Sequence, residues 1–398
     1  MQKIGVFGGS FNPIHCGHVL AAQEAVRALG LSRLLLVPAA QPPHKELSVG
    51  SPTAQERLAM VQLAVQELPQ LSVCDLELQR GGKSYTVDTL RTLHEQNPDA
   101  ELYLLVGTDM FLTLDKWYAP QEICRLAGIV PLLRADRNAA ISQQLAQQTQ
   151  LLQERFGARV FPVENRYVPI SSTAVRRMLA FGCGEAQLPA TVYEYIETHK
   201  LYFADADLKA LPFEELAAIS LSLAKPQRAA HIVGCSQTAE ALAKRWGADP
   251  RDAARAGILH DVTKALEREE QLQLCEKYGI ILDNFERVNY KLLHAITGAQ
   301  VAKHIFGEND AVVSAIRWHT TGKAKMSLLE KILYLADYME PNRDFDGVER
   351  LRALAGTDLD AALILGLEMS IAQLEGQGRA VAADSRAALE YLLRERMQ

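Results

Sequence analysis

The chain lacks most of what would place it outside an ordinary aqueous globule. Its six cysteines, at positions 16, 74, 124, 183, 235 and 275, form no C-x-x-C pair, which excludes a cysteine zinc finger and a disulfide-dense scaffold and suits a reduced, cytoplasmic setting. No segment approaches the roughly 18 uncharged apolar residues of a membrane helix, and the opening M-Q-K-I-G-V-F-G-G has no long apolar h-region. The expectation is an untargeted, soluble protein. A basic excess is also missing: 42 Lys+Arg against 48 Asp+Glu leave a net charge of -6, the wrong sign for bulk attraction to nucleic acid or anionic lipid. Any anion must therefore be captured locally. Neither G-x-x-x-x-G-K-[ST] nor G-x-G-x-x-G occurs, so the two commonest phosphate-loop signatures are excluded.

What is present is 398 residues, 48% of them hydrophobic, enough for two or three domains at roughly 150 residues each. The first half alternates apolar runs suited to strands with helical stretches, the pattern of parallel βαβ units. Strands are expected near Lys3–Phe7, Leu34–Val37, Leu71–Cys74, Leu102–Val106, Gly128–Leu133 and Arg159–Pro162, with helices at Gln55–Leu68 and Val87–Gln96. Past Tyr202 strand-like runs stop, and helix formers dominate Thr238–Trp246, Leu328–Met339 and Arg386–Met397. The expected fold is α/β with a parallel sheet over 1–203, a linker over 204–211, and an all-α bundle over 212–398.

The sharpest feature of the first half is Gly8-Gly9-Ser10-Phe11-Asn12-Pro13-Ile14-His15-Cys16-Gly17-His18, directly after the first strand. Glycines admit close approach of a ligand to the backbone, and a helix starting near Gly17 would turn its N-terminus toward an anion. His15 and His18, three apart, would share one side and donate to phosphate oxygens. The segment resembles the signature of nucleotidyltransferases. Pro42-Pro43-His44-Lys45, Gly82-Lys83-Ser84-Tyr85-Thr86-Val87-Asp88, Val106-Gly107-Thr108-Asp109, Lys116-Trp117-Tyr118 and Ile170 through Arg176 narrow the likeness to bacterial nicotinate-nucleotide adenylyltransferases.

That resemblance implies a Rossmann-like domain that joins ATP, as its Mg2+ complex, to nicotinate mononucleotide and expels pyrophosphate. It assigns Gly8, Gly9, Ser10, Phe11, His15, His18, Gly107, Asp109, Ile170, Ser171, Ser172, Thr173 and Arg176 to ATP, with His15 and His18 catalytic. It assigns Lys45, Thr86, Asp109, Trp117 and Tyr118 to the mononucleotide. The choice between nicotinate and nicotinamide stays open in the residues themselves; the likeness favours the acid.

The second half carries His231, His260-Asp261, His294, His319 and Asp337, set in helical stretches or at their ends. A helical bundle can gather such distant imidazoles and carboxylates in its interior. The order H…HD…H…H…D resembles the HD-domain metallohydrolases in their two-metal form; a one-metal version would need only His231, His260, Asp261 and Asp337. Six nitrogen and oxygen ligands without cysteine suit first-row ions such as Fe, Mn or Co. Two of them, with Asp261 as bridge, can activate a water and stabilise oxygens at phosphorus. Arg228-Ala229-Ala230-His231, Leu259 through Lys264, Ala315 through Gly322, and Leu335 through Arg343 resemble the bacterial HD enzymes that split diadenosine tetraphosphate symmetrically into two ADP. The resemblance implies Fe as the favoured metal, a catalytic role for Asp261 and Lys264, and phosphate contacts from Arg228, Lys264, Thr320, Thr321 and Arg343. A nucleotidase, a cyclic-dinucleotide phosphodiesterase and a non-catalytic regulatory module are the alternatives. His304 has no motif role and is expected on a helix surface. Partners are expected to be small nucleotides, with no nucleic acid and no membrane; a homo-oligomer is left open.

Overall fold

The computed structural model describes residues 2–43, 47–48, 50–134, 139–165, 170–204 and 206–397, in two compact units, Met1–Asp205 and Ala206–Gln398. The first unit is built on six strands: β1 (Gln2–Gly9), β2 (Arg33–Pro38), β3 (Leu71–Val73), β4 (Ala100–Gly107), β5 (Ala127–Arg134) and β6 (Val163–Asn165). They are all parallel, in the order β3-β2-β1-β4-β5-β6. Apolar residues at both alternating sets of positions bury both faces, as a parallel sheet covered by helices requires. Phe7, Leu34, Leu36, Leu105 and Leu132 pack on one side, and Ile4, Val6, Leu35, Leu104 and Ile129 on the other.

The expected strand at Arg159–Pro162 is displaced. Only Val160 bridges to Ile129, and the ladder resumes at Leu132 with Val163 in the same register. That register sets Pro131 against Pro162, two residues without an N–H to give the ladder, so pairing is interrupted there. The Ala54–Val65 helix starts at a reciprocal cap between Thr53 and Glu56, and Cys16–Leu29 ends at left-handed Gly30.

The second unit contains no strand among its described residues. Its core helices are Ala229–Trp246, Pro250–Leu259, Leu293–His304, Asp310–Trp318 and Leu328–Met339, the last with the bounds expected from periodicity. Gly257 permits the closest approach: a Cβ there would lie 2.5 Å from the Ser236 Cα, and the Ser236 hydroxyl donates to the Ala254 carbonyl at 2.8 Å. This contact sets the first two core helices backbone against backbone and brings His231 beside His260. Among the described residues no helix is long and apolar enough to cross a membrane.

Candidate functional sites

In the first unit the strand order reverses at β1, between β2 and β4, and ligands of open α/β sheets bind at the carboxyl ends of strands beside such a point. A cavity of about 460 Å3 lies there, reached by Gly8 through Phe11, His18 and Gly107 on one side and by Thr86, Trp117 and Tyr118 on another. His15 caps the Cys16–Leu29 helix, and its ring stacks on His18 with centroids 3.7 Å apart. The His15 backbone N–H donates to Nδ1 of His18 at 3.3 Å. The neutral His18 ring therefore carries its proton on Nε2, free to donate elsewhere. Burial lowers the His18 pKa to about 4; burial and then the neighbouring His18 lower that of His15 to about 2. Both rings are neutral donors until an anion arrives to favour their charged forms.

The Ser172–Ala180 helix is pinned to the same turn. Ser171 accepts from the Ala174 N–H, the Ser172 hydroxyl donates to the Pro13 carbonyl at 2.9 Å, and Arg176 donates to the Asn12 carbonyl at 2.6 Å and to Thr173 at 3.2 Å. Ile170 is half-buried just before it. Thr86 opens the Thr86–Gln96 helix at the cavity wall, where a carboxylate gains from the unpaired N–H groups. Tyr118 is 60% exposed and packs its ring 4.8 Å from that of Tyr85. Asp109, just past β4, is exposed and outside the cavity lining. Lys45 lies outside the described residues.

Two residues of this site carried no motif. Arg57 is fully buried and donates to the carbonyls of Ser10 at 2.6 Å, Ala39 at 2.7 Å and Ala40 at 3.2 Å, fixing the loops after β1 and β2. A lone arginine on a core-facing helical stripe is the signal that marks it. Glu77 lines the cavity, and burial raises its pKa although the Thr89 hydroxyl donates to it at 2.7 Å.

In the second unit all six sequence-selected ligands converge. His231 projects from its helix, His260 and Asp261 follow Leu259, His294 stands in the first turn of its helix, His319 follows Trp318, and Asp337 comes from Leu328–Met339. Each imidazole anchors Nδ1: His260 to the Gly257 carbonyl at 2.7 Å, His294 to that of Lys291 at 2.6 Å, His319 to that of Ile316 at 2.7 Å, and His231 to Glu340 Oε1 at 3.1 Å. All four rings thus turn an Nε2 lone pair inward.

Asp261, 1% exposed, divides its oxygens between two groups. Oδ2 lies 3.4 Å from His260 Nε2, and Oδ1 lies 3.2 Å from His294 Nε2. His231 Nε2 is 3.2 Å from Asp337 Oδ1 and 3.3 Å from His260 Nε2; His294 Nε2 is 3.2 Å from that of His319. Inward-facing lone pairs without hydrogens between them, and a buried Oδ1 of Asp261 with no hydrogen-bond donor, fit divalent cations on either side of that carboxylate.

At His294 and His319 the electrostatics favour the neutral ring that a ligand needs. Burial lowers the pKa of His319 to about 3, aided by His260 and His294, and burial followed by Lys264 lowers that of His294. Burial opposes charge on His260 and Asp261, yet the proximity of Cys235 and Asp261 holds the first high, and that of His260 holds the second low.

Cations ring the cluster. Arg228 pairs with Asp261, Arg343 with Asp337 at 2.7 Å, and Lys264 reaches His294 Nε2 at 2.9 Å from a turn after Leu259, not from a continued helix. Thr320 and Thr321 line a neighbouring cavity. Glu340 was not foreseen: it is 1% exposed and also accepts from the Asn342 backbone N–H and side-chain amide, both at 2.8 Å. Gly234 makes room for it, since a Cβ there would lie 2.3 Å from Oε2. His304 is exposed and stacks on Tyr278.

Comparison with known proteins gives each unit its relatives. The cytidylyltransferase-like family matches residues 6–178 and the HD domain matches residues 228–342. A Mycoplasma pneumoniae protein named probable nicotinate-nucleotide adenylyltransferase/Ap4A hydrolase is 32% identical over 343 residues, covering 85% of this chain and 88% of its own length. A probable nicotinate-nucleotide adenylyltransferase of Gloeobacter violaceus is 39% identical over 203 residues, 50% of this chain and 96% of that protein. A crystal structure of a predicted HD superfamily hydrolase involved in NAD metabolism, from Clostridium acetobutylicum, is 34% identical and covers 46% of this chain and 98% of its own, with a TM-score of 0.45.

Proposed function

We propose, from a chain that belongs to the family joining a nicotinate-nucleotide adenylyltransferase to an HD domain, a bifunctional enzyme whose two units each act on adenosine phosphates. In the first unit the 5′-phosphate oxygen of nicotinate mononucleotide attacks the α-phosphorus of magnesium-bound ATP; the bond to the β-phosphate breaks and pyrophosphate leaves. The protein supplies position and charge stabilisation rather than a covalent intermediate. His18 donates through Nε2 to the phosphates, His15 backs it, and the start of the Ser172–Ala180 helix faces the same turn. Thr86 and its helix N-terminus hold the pyridine carboxylate, and Trp117 stacks on the ring. The supporting observation is one cavity at the strand-order reversal that joins the His18 side to the Thr86 and Trp117 side.

In the second unit the six inward ligands would hold two first-row divalent ions, Fe being our choice, with Asp261 between them. Bound there, such ions supply an activated water and neutralise phosphate charge. The chain's own part is to fix four Nε2 lone pairs through their Nδ1 bonds, and to offer Arg228, Lys264 and Arg343 to phosphate oxygens. We read the reaction as symmetrical hydrolysis of diadenosine tetraphosphate: water adds to an inner phosphorus, the central bridging bond breaks, and two ADP leave. The two-ion reading rests on the division of the Asp261 oxygens between two histidine groups, and the choice of substrate on the likeness to the Mycoplasma pneumoniae protein named probable nicotinate-nucleotide adenylyltransferase/Ap4A hydrolase.

The test gives the full chain ATP with either mononucleotide and follows dinucleotide and pyrophosphate; the Mn2+- or Fe2+-loaded chain then receives a nucleotide panel. The acid dinucleotide and ADP as sole hydrolysis product are expected. No pyrophosphate release would overturn the first assignment. Preferred cleavage of mononucleotides or cyclic dinucleotides, or no turnover at all, would overturn the second.

A further inference from the structure

We infer that Arg57, too buried to touch a ligand, is a positioning residue whose charge draws the phosphates of ATP into the first unit through the wall of the cavity. The inference rests on the adenylyltransferase reading of that unit. It starts from a mismatch in the lining. Among the described residues the cavity wall holds no lysine and no arginine, and the one acid in it is Glu77. His18, which also lines it, is neutral because burial lowers its pKa. Such a wall offers hydrogen bonds but no positive charge, although the ligand is a polyanion. The attracting charge has to stand behind it.

Arg57 is placed for this. Its hydrogen bonds run to backbone carbonyls, two of them on Ser10 and Ala39, which line the cavity from the other side. Among the described residues no carboxylate pairs with it, and a guanidinium stays charged even where burial lowers its pKa, as it does here. A buried charge without a counter-ion is little screened by water, so its field reaches further than that of a surface arginine. It also sets a dipole: with the Ser10 carbonyl on the guanidinium, the planar trans peptide presents the Phe11 N–H on the opposite side. Arg176, half-buried on the Asn12 carbonyl, adds a second charge to the same turn. Tyr202 closes the back, 3% exposed and in one apolar core with Phe11 and Ile14. Burial pushes its phenol up against the pull of Arg176 and Arg57, so it stays protonated and cancels neither charge. Glu56, the carboxylate that also acts on this phenol, is engaged by the Thr53 N–H at 2.7 Å and hydroxyl at 2.8 Å.

The test follows dinucleotide formation by the full chain, with ATP as substrate and AMP and adenosine as competitors of ATP, so that only this site is read. Arg57→Gln removes the charge and is expected to raise the KM for ATP and the inhibition constant of AMP about tenfold, the low end of what a focused field supplies, while uncharged adenosine stays within about twofold. Arg57→Lys loses the fork but keeps the charge, and all three constants are expected within about threefold of the parent. Both variants lower the denaturation midpoint, so it is the ligand series that separates charge from a merely structural role. Glu56→Gln leaves Arg57 in place and is the arm that does not depend on folding without it: the KM for ATP should fall about twofold, with adenosine unchanged. Equal weakening of adenosine, AMP and ATP in Arg57→Gln overturns the inference, as does an Arg57→Lys chain that loses ATP as Arg57→Gln does. Should Arg57→Gln not fold, an unmoved KM for ATP in Glu56→Gln overturns it. A parent chain that forms no dinucleotide overturns the adenylyltransferase reading instead, and calorimetric titration of the same ligands then decides the role of the charge.

Discussion

Replacing Glu340 by glutamine should disable the helical site although the side chain keeps its shape. Three donors converge on this buried carboxylate: His231 Nδ1 on Oε1, and the Asn342 N–H and amide on Oε2. A glutamine has one acceptor oxygen and one NH2 group. With its oxygen toward Asn342, the NH2 faces Nδ1 of His231, which can accept only without its proton. The proton then sits on Nε2, the atom 3.2 Å from Asp337 and 3.3 Å from His260 Nε2, and the lone pair that should ligate is lost. With the amide reversed, NH2 opposes two N–H groups. Either arrangement forfeits a charge-assisted bond of about 1.5–3 kcal/mol, and groups behind metal ligands commonly carry about 10–100-fold in affinity or activity. Titrating metal-stripped full chain with Mn2+ in a calorimeter, and measuring ADP release from the same sample, should give at least a tenfold loss in both for Glu340→Gln. Dinucleotide synthesis by the first unit serves as the control and should not change. Gly234→Ala should behave similarly, because its Cβ would displace Oε2. A Glu340→Gln chain with parental Mn2+ affinity and ADP release would refute the tautomer argument.

Other outcomes follow from the same reasoning. His18→Ala should lower kcat for dinucleotide formation by about 100-fold or more, as loss of a positioned phosphate donor does, while leaving ADP release intact; steady-state assays of both reactions check it. Arg57→Met takes the donor from three carbonyls, that of Ala39 buried and those of Ser10 and Ala40 partly buried, and should cost the first unit about 3 kcal/mol, read as a lowered denaturation midpoint. Because His15 and His18 stay neutral when folded but protonate near pH 6.5 when unfolded, they favour the unfolded chain increasingly as pH falls from about 6.5 toward 4, and for His15 toward 2. A His15→Asn/His18→Asn double variant should therefore lose less of its first-unit melting temperature between pH 7.5 and pH 5 than the parent does.

Local pattern made much of this protein legible. Five of the six expected strands coincide with observed ones, because parallel strands buried on both faces read as unbroken apolar runs. The sixth shifted because two prolines on different strands fall opposite each other, a fact of register that neither segment reveals alone. The histidines and aspartates of the helical half were visible because few roles explain six such groups in that order. Glu340, Arg57 and Glu77 were not, because each acts on a group distant in sequence: His231, the Ser10 and Ala39 carbonyls, and the wall of the cavity holding Trp117.

Composition and motif order by themselves determined that this acidic chain carries two units, one a parallel α/β sheet and one helical, each with groups suited to phosphate. Those follow from hydrophobic period and residue chemistry, which are local. The tertiary structure alone decided which nitrogen each histidine turns inward, that Asp261 faces two groups with different oxygens, and where cavities of ligand size lie beside them. These depend on hydrogen bonds and contacts between residues far apart in the chain, and such partners exist only once the core has set the backbones that carry them.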